Sequence, residues 1–187
     1  MSTYTHSDAQ LNDIVQNPEV IVQPLKDDGI IPNNQQLPLL VYQNAIPPSE
    51  GDPAVNAEIV FHANGWKSSW RNGIYPFHHY HSTAHEVLCI CRGTAKVKLG
   101  GEEGITLDVH PGDVMVLPAG VGHKNLGASP DLLVVGAYPL GPSCDLCQEG
   151  AGEHQRALQN IPNVSLPPAD PVYGENGPVM EYWINPS

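Results

Sequence analysis

"HHYHSTAHEV", His78 to Val87, places four histidines and a glutamate within ten residues. Helical and extended readings of this stretch lead to different proteins. On a helix, His81 and His85 have the i, i+4 spacing of a zinc-protease motif, but residue 82 is serine and Glu86 follows the second histidine, so the general base is out of place. On a strand, alternation sends His79 and His81 to one face and His78 and Tyr80 to the other. The continuation "EVLCICR" puts Glu86 on a face with Leu88, Ile90 and Arg92, opposite Val87, Cys89 and Cys91. If the two strands lie side by side, two imidazoles and a carboxylate meet on one interior as a nitrogen and oxygen donor set. The extended pattern therefore predicts a β fold around a metal site. His78 and His85, of opposite parity, are expected outside it, as hydrogen-bond or subunit contacts.

Outward from this stretch, Ile74 to Tyr138 breaks into short runs: "IYPFHHYH", "EVLCICR", "AKVKL", "ITLDV", "DVMVLP" and "LLVVGAY". Turn formers separate them at Gly93, Gly100-Gly101-Glu102, His110-Pro111-Gly112 and Pro118-Ala119-Gly120. Six such strands in about 65 residues predict an all-β fold, a small antiparallel barrel or jelly roll. Upstream, "SDAQLNDIVQN" reads as a short helix with Ser7 and Gln10 at capping-box spacing. "EVIVQPL" and "LPLLVYQNAI" read as strands, each with a proline that marks an edge or a strand end. "DPAVNAEIVFHANG" reads as a helix started at Asp52-Pro53 and stopped at Asn64-Gly65. Downstream come a short helix, "EGAGEHQRALQNI", and a proline-rich tail laid back over the body. The expected organisation is an extension of helices and edge strands over 1–72, a barrel core over 73–140, and a C-terminal helix and tail over 141–187.

Composition narrows the partners. The 187 residues carry a net charge of −12, a field that repels nucleic acid and anionic lipid. With 41% apolar residues, 18 glycines and 19 prolines, the chain is too apolar for disorder and rich in turns. "LLVVGAY" is far shorter than a membrane span, and "MSTYTHSDAQ" has neither the basic nor the apolar region of a secretory signal, so a cytoplasmic protein is expected. The four cysteines are then expected as free thiols. "CDLC", Cys144 to Cys147, has no second C-x-x-C to complete a zinc site and no βαβ context for a redox motif.

A second segment, "GDVMVLPAGVGHKNLG", contributes Gly112, Pro118, Gly120 and His123, with the Pro-x-Gly turn returning His123 toward the same interior. Together the two segments resemble the paired motifs of the cupin superfamily. The first fits G-x5-H-x-H-x4-E-x6-G through Gly73, His79, His81, Glu86 and Gly93; the second fits G-x5-P-x-G-x2-H through Gly112, Pro118, Gly120 and His123. The closing asparagine of the family pattern falls on Gly127, a departure that bears on loop shape, with Asn125 nearby as a group able to support the ligands. The wider phrases "NGWKSSWRNGIYPFHHYHSTAHEVL" and "PAGVGHK" are similar to a group of small YjlB-like cupins.

The resemblance implies a double-stranded β-helix of RmlC-like type, and a single divalent transition metal ion, Mn, Fe, Ni, Co, Cu or Zn, held by His79, His81, Glu86 and His123. Glu86 is either a permanent ligand or, as resembling enzymes imply, a group that leaves the metal to act as a catalytic base. Parity gives the pocket apolar walls from Phe77, Leu88 and Ile90, with Arg92 at the rim. Such a centre suits a small, oxygen-rich substrate and oxygenase-type (dioxygenase-like) oxidoreductase chemistry, with lyase, decarboxylase or isomerase chemistry open. The alternative is a non-catalytic metal- or metabolite-binding cupin. A homodimer through edge strands is also expected.

Overall fold

The computed structural model of the chain describes residues 8–139 and 143–186. Its strands pair antiparallel throughout. One sheet runs β1 (Glu19–Gln23), β2 (Leu39–Gln43), β8 (Val114–Leu117), β5 (Glu86–Arg92), β10 (Leu133–Pro139), β3 (Trp66–Asn72). The other runs β11 (Cys147–Gln148), β4 (His79–Tyr80), β9 (His123–Ala128), β6 (Ala95–Leu99), β7 (Ile105–Val109). From β3 to β11 every connection except β6 to β7 crosses between the sheets, which is the wiring of a jelly roll. Glycine supplies the turns where the backbone needs it. At Gly120 φ is +93°, and a Cβ there would lie 2.5 Å from the carbonyl oxygen of Asn33.

The central strands of the six-stranded sheet, β2, β8, β5 and β10, are buried on both faces, so they read as nearly unbroken apolar runs. Its inner face contributes Leu88, Ile90, Met115, Leu117 and Val134 to a core shared with Val97, Leu99 and Val109 of the other sheet. Its outer face, with Val87, Cys89, Cys91, Val116 and Val135, is covered by helix α2 (Val55–Ala63) through Ala57, Val60 and Phe61, and by tail residues Val172, Val179 and Trp183. The parity read for "EVLCICR" therefore holds. Leu11, Ile14 and Val15, in and just after helix α1 (Asp8–Ile14), pack on the same outer cluster, while Ser7 of the Ser7–Gln10 capping pair lies outside the described residues.

The prolines mark strand ends: Pro24 follows β1 and Pro38 precedes β2. β1 is a sheet edge, whereas β2 is interior, hydrogen-bonded to both β1 and β8. β3 carried no strand signal because "WKSSWRN" is a largely exposed edge with one buried residue at its start. The tail is fixed by Asp170, fully buried, which accepts hydrogen bonds from Val172 N (2.8 Å), Tyr173 N (2.9 Å), Val179 N (2.9 Å) and the Tyr42 hydroxyl (2.7 Å).

Candidate metal centre

His79 and His123 face each other across β4 and β9, their ring centroids 3.9 Å apart. His81 lies just beyond β4, where its carbonyl accepts the N–H of Gly120 (2.7 Å) and so ties the Pro-x-Gly turn to the ligand strand. Glu86 opens β5 in the opposite sheet. All four side chains are buried. His79, His81 and His123 each offer one ligand atom, and those atoms lie within 4.8 Å of one another. Glu86 Oε2 is 3.2 Å from Nε2 of both His81 and His123.

The ring orientations decide which nitrogens are free. Nδ1 of His79 faces the carbonyl of Phe77 (3.2 Å), Nδ1 of His123 faces that of Val121 (3.2 Å), and Nδ1 of His81 faces that of Asp145. A carbonyl only accepts, so each Nδ1 carries the proton and each Nε2 is left for other chemistry. Glu86 Oε2, though at contact distance from two imidazoles, is a buried oxygen without a hydrogen bond. The nitrogens and the oxygen converge on a common space. A buried carboxylate so placed is costly unless a cation or proton answers it, and the donor set fits a divalent transition metal.

Electrostatics follow the same division. Burial, reinforced by the charges of His123 and His81, pulls His79 down to about 3, so it stays neutral. Burial alone would raise Glu86, but the His123 and His81 imidazoles outweigh it and hold the carboxyl below the usual carboxylate range. Burial opposes a charge on His81, yet the Cys144 thiol and the Glu86 carboxylate outweigh it and push the group up to about 11. A cation taking these atoms therefore exchanges with the His81 proton.

In front of the ligands lies a cavity of about 450 Å³, with Trp70, Ile74, Tyr75, Leu88, Tyr138 and Leu146 in its wall. Leu88 takes the position its parity implied. Ile90 instead belongs to the barrel core and Phe77 is 37% exposed, stacked on Tyr75, because β4 is two residues long and its alternation does not extend back to residue 77. Arg92 sits exposed at the rim, donating to the carbonyl of Asp131. Asn125 does not support the ligands: its side chain accepts from Gly127 N (2.8 Å) in a local turn. His78 and His85 are not external. Both are on the other face but buried, His78 against Glu102 (3.0 Å), and His85 accepting from Ala119 N (3.0 Å) beneath Trp183 of the tail.

The residues missed from sequence lie in a strap after β10. Asp145 accepts from Ser82 N (2.7 Å), Ser82 Oγ (2.5 Å) and Thr83 N (3.2 Å), its carbonyl holds His81, and Cys147 and Gln148 pair with Tyr80 and His79. "CDLC" thus braces the ligand strand, with free thiols. Proximity of residues some sixty positions apart leaves no local signal. Tyr138 did leave one: it shares parity with Val134 on the inner face.

Residues 71–135 match the family described as "Cupin domain". The chain is 43% identical over 158 residues to "Uncharacterized protein YjlB" of Bacillus subtilis (strain 168), covering 84% of this chain and 93% of that one. Among solved structures it is similar to acireductone dioxygenase from Bacillus anthracis, described with a cadmium ion in its active center (14% identity, 75% of this chain and 88% of that chain, TM-score 0.36). It is also similar to a DUF861 family protein from Thermotoga maritima (24% identity, 41% of this chain and 78% of that chain, TM-score 0.28).

Proposed function

The chain belongs to the cupin family, and we propose that it is a metal-dependent enzyme acting on a small, oxygen-rich molecule by oxygenase-type oxidoreductase chemistry. The observation that carries this reading is the convergence of three Nε2 atoms, their rings fixed by carbonyls at Nδ1, with an unpartnered Glu86 oxygen at the floor of a cavity. His79, His81, Glu86 and His123 would hold the ion. When bound, it would supply Lewis-acid or one-electron chemistry to an oxygen ligand, as imidazole and carboxylate donors suit Mn, Fe, Co or Ni.

The chain's own residues prepare that chemistry. Leu88, Ile74 and Trp70 line the cavity with apolar surface, which excludes water and strengthens charge interactions at its floor. Carbonyls of Phe77, Val121 and Asp145 prevent the imidazoles from turning. Glu86, with its oxygen free of hydrogen bonds, would take a proton from a substrate hydroxyl when it leaves the ion, and is otherwise a permanent ligand.

Metal analysis of protein purified without a histidine tag tests the reading. One transition metal ion per chain, lost in His81→Ala without loss of fold, is the expected result. A chain that holds no metal and takes up none from added ions overturns it. Oxygen consumption with a metabolite panel, abolished in His81→Ala, would separate the enzyme from a purely binding protein.

A further inference from the structure

Three features of the cavity, taken together, define what it accepts. The first is charge. Arg71 is the one arginine or lysine among its described lining residues, and its guanidinium is turned away, held by Glu58 (2.6 and 2.7 Å) and Asp52 (2.8 Å) on the outer side of the sheet. Asp145, also in the wall, is occupied by Ser82 and Thr83. A phosphate or polycarboxylate entering here would shed water and meet no lysine or arginine in return.

The second feature is the wall. Trp70, Ile74, Leu88 and Leu146 are apolar, and Tyr75, 47% exposed, stands at the mouth with its ring stacked on Phe77 (4.9 Å, 16°) and edge-on to His79 (5.0 Å). This lining favours a flat apolar body over a sugar or a polyol.

The third feature is Tyr138. Its phenol oxygen accepts a hydrogen bond from Trp70 Nε1 (3.1 Å), which leaves the phenol proton to be donated elsewhere. Its ring is edge-on to His81 (5.8 Å), so the hydroxyl lies beside the ligand cluster. The backbone is shaped for this pair: a Cβ on Gly136 would lie 2.2 Å from the Trp70 ring, so only glycine lets the indole rest against β10 and reach Tyr138.

We infer that the cavity selects a neutral or singly charged molecule with a flat apolar body that presents an oxygen to the ligand cluster, and that Tyr138 donates the hydrogen bond that orients that oxygen. This rests on the metal-centre reading above. The test uses full-length protein loaded with cobalt(II) and the coloured probe 4-nitrocatechol, with citrate and pyrophosphate as competitors. Binding is read from the shift of the probe's visible band, and metal content is measured in parallel.

The expected result is that Tyr138→Phe keeps its cobalt and its melting temperature but binds the probe roughly tenfold more weakly, as for loss of a hydrogen bond to a charged oxygen. Trp70→Phe, which removes the donor holding the phenol, shifts the bound probe's band and weakens binding less; if Tyr138→Phe does not fold, this variant decides. Citrate and pyrophosphate are expected to displace the probe only at concentrations well above its own. Unchanged probe affinity in both variants with cobalt retained, or displacement by the polyanions at lower concentrations than the probe's, would overturn this inference alone. Absence of cobalt from the parent would overturn the metal reading and this inference with it.

Discussion

Replacing Asp145 with alanine tests whether the strap holds the proposed metal ligands. The carboxylate is the acceptor for the N–H and hydroxyl of Ser82, at 2.7 and 2.5 Å, and for the N–H and hydroxyl of Thr83, both at 3.2 Å. Ser82 is fully buried, so in Asp145→Ala two of its donors lose their partner out of reach of water, although its oxygen still accepts from Asn160 (2.9 Å). Thr83 is half-buried, and water can replace what it loses. At about 1–3 kcal/mol for each of the two orphaned buried groups, the cost to the fold is about 2–6 kcal/mol. The same loop carries His81, whose ring is fixed by the Asp145 carbonyl. A loosened ring would weaken metal binding by roughly 10–100-fold, the usual effect of removing support behind a ligand. Urea unfolding of metal-free protein and competition with a chelating dye measure the two effects separately. Asp145→Asn, which keeps an oxygen opposite the two backbone N–H groups, should recover more than half of the stability. If Asp145→Ala unfolds within about 0.5 kcal/mol of the parent and binds metal equally well, the strap is not a brace and the reasoning fails.

Gly136→Ala is expected to force the Trp70 indole off β10, since the added carbon would sit 2.2 Å from the ring, at a cost of about 1–3 kcal/mol. Tryptophan emission should shift with the loss of stability; unchanged emission and melting would contradict the contact. Asp170→Ala strands the buried Tyr42 hydroxyl and three backbone donors, and should destabilise the chain by about 3 kcal/mol or more while freeing the tail to limited proteolysis. Burial holds the Asp170 carboxyl above its usual range in spite of those four donors. Its contribution is therefore largest below the unfolded value near about 3.9 and is lost as pH rises through the folded one. The stability advantage of the parent over Asp170→Asn should narrow with rising pH; an advantage that widens would reverse the sign.

What could be read from the sequence follows the range of the interaction that produces it. "EVLCICR", "AKVKL" and "ITLDV" coincide with β5, β6 and β7 because alternation and glycine turns are local. The convergence of His79, His81, Glu86 and His123 on one interior was legible because strand parity and the Pro-x-Gly turn constrain where each side chain points. His78 and His85 had the right parity but the wrong surroundings: their face is covered, at His85 by Trp183 from nearly a hundred residues away. β3 was hidden because an exposed edge strand needs no apolar residues, and β2 proved interior because β1, from the segment before it, covers its other side. Asp145 could not be read at all, since its meaning lies in Ser82, Thr83 and His81.

The three histidines are not held in the same way, and that difference locates the vulnerable point of the centre. Nδ1 of His79 and of His123 each meets the carbonyl two residues earlier in its own strand, at Phe77 and Val121, so those rings are set by local backbone. His81 has no such neighbour. It borrows the carbonyl of Asp145, which reaches it only because β11 adds to the edge of β4 and because Ser82 and Thr83 grip the Asp145 carboxylate. His81 is also the ligand whose proton a cation must displace, so its orientation and its charge both depend on contacts contributed by the strap, the latter through Cys144. Two ligands therefore come preset with the strands, whereas the third and the Glu86 it faces are completed by a segment outside residues 71–135 that match the cupin domain. A chain cut before residue 143 would retain all four ligand side chains and still lack the means to aim His81.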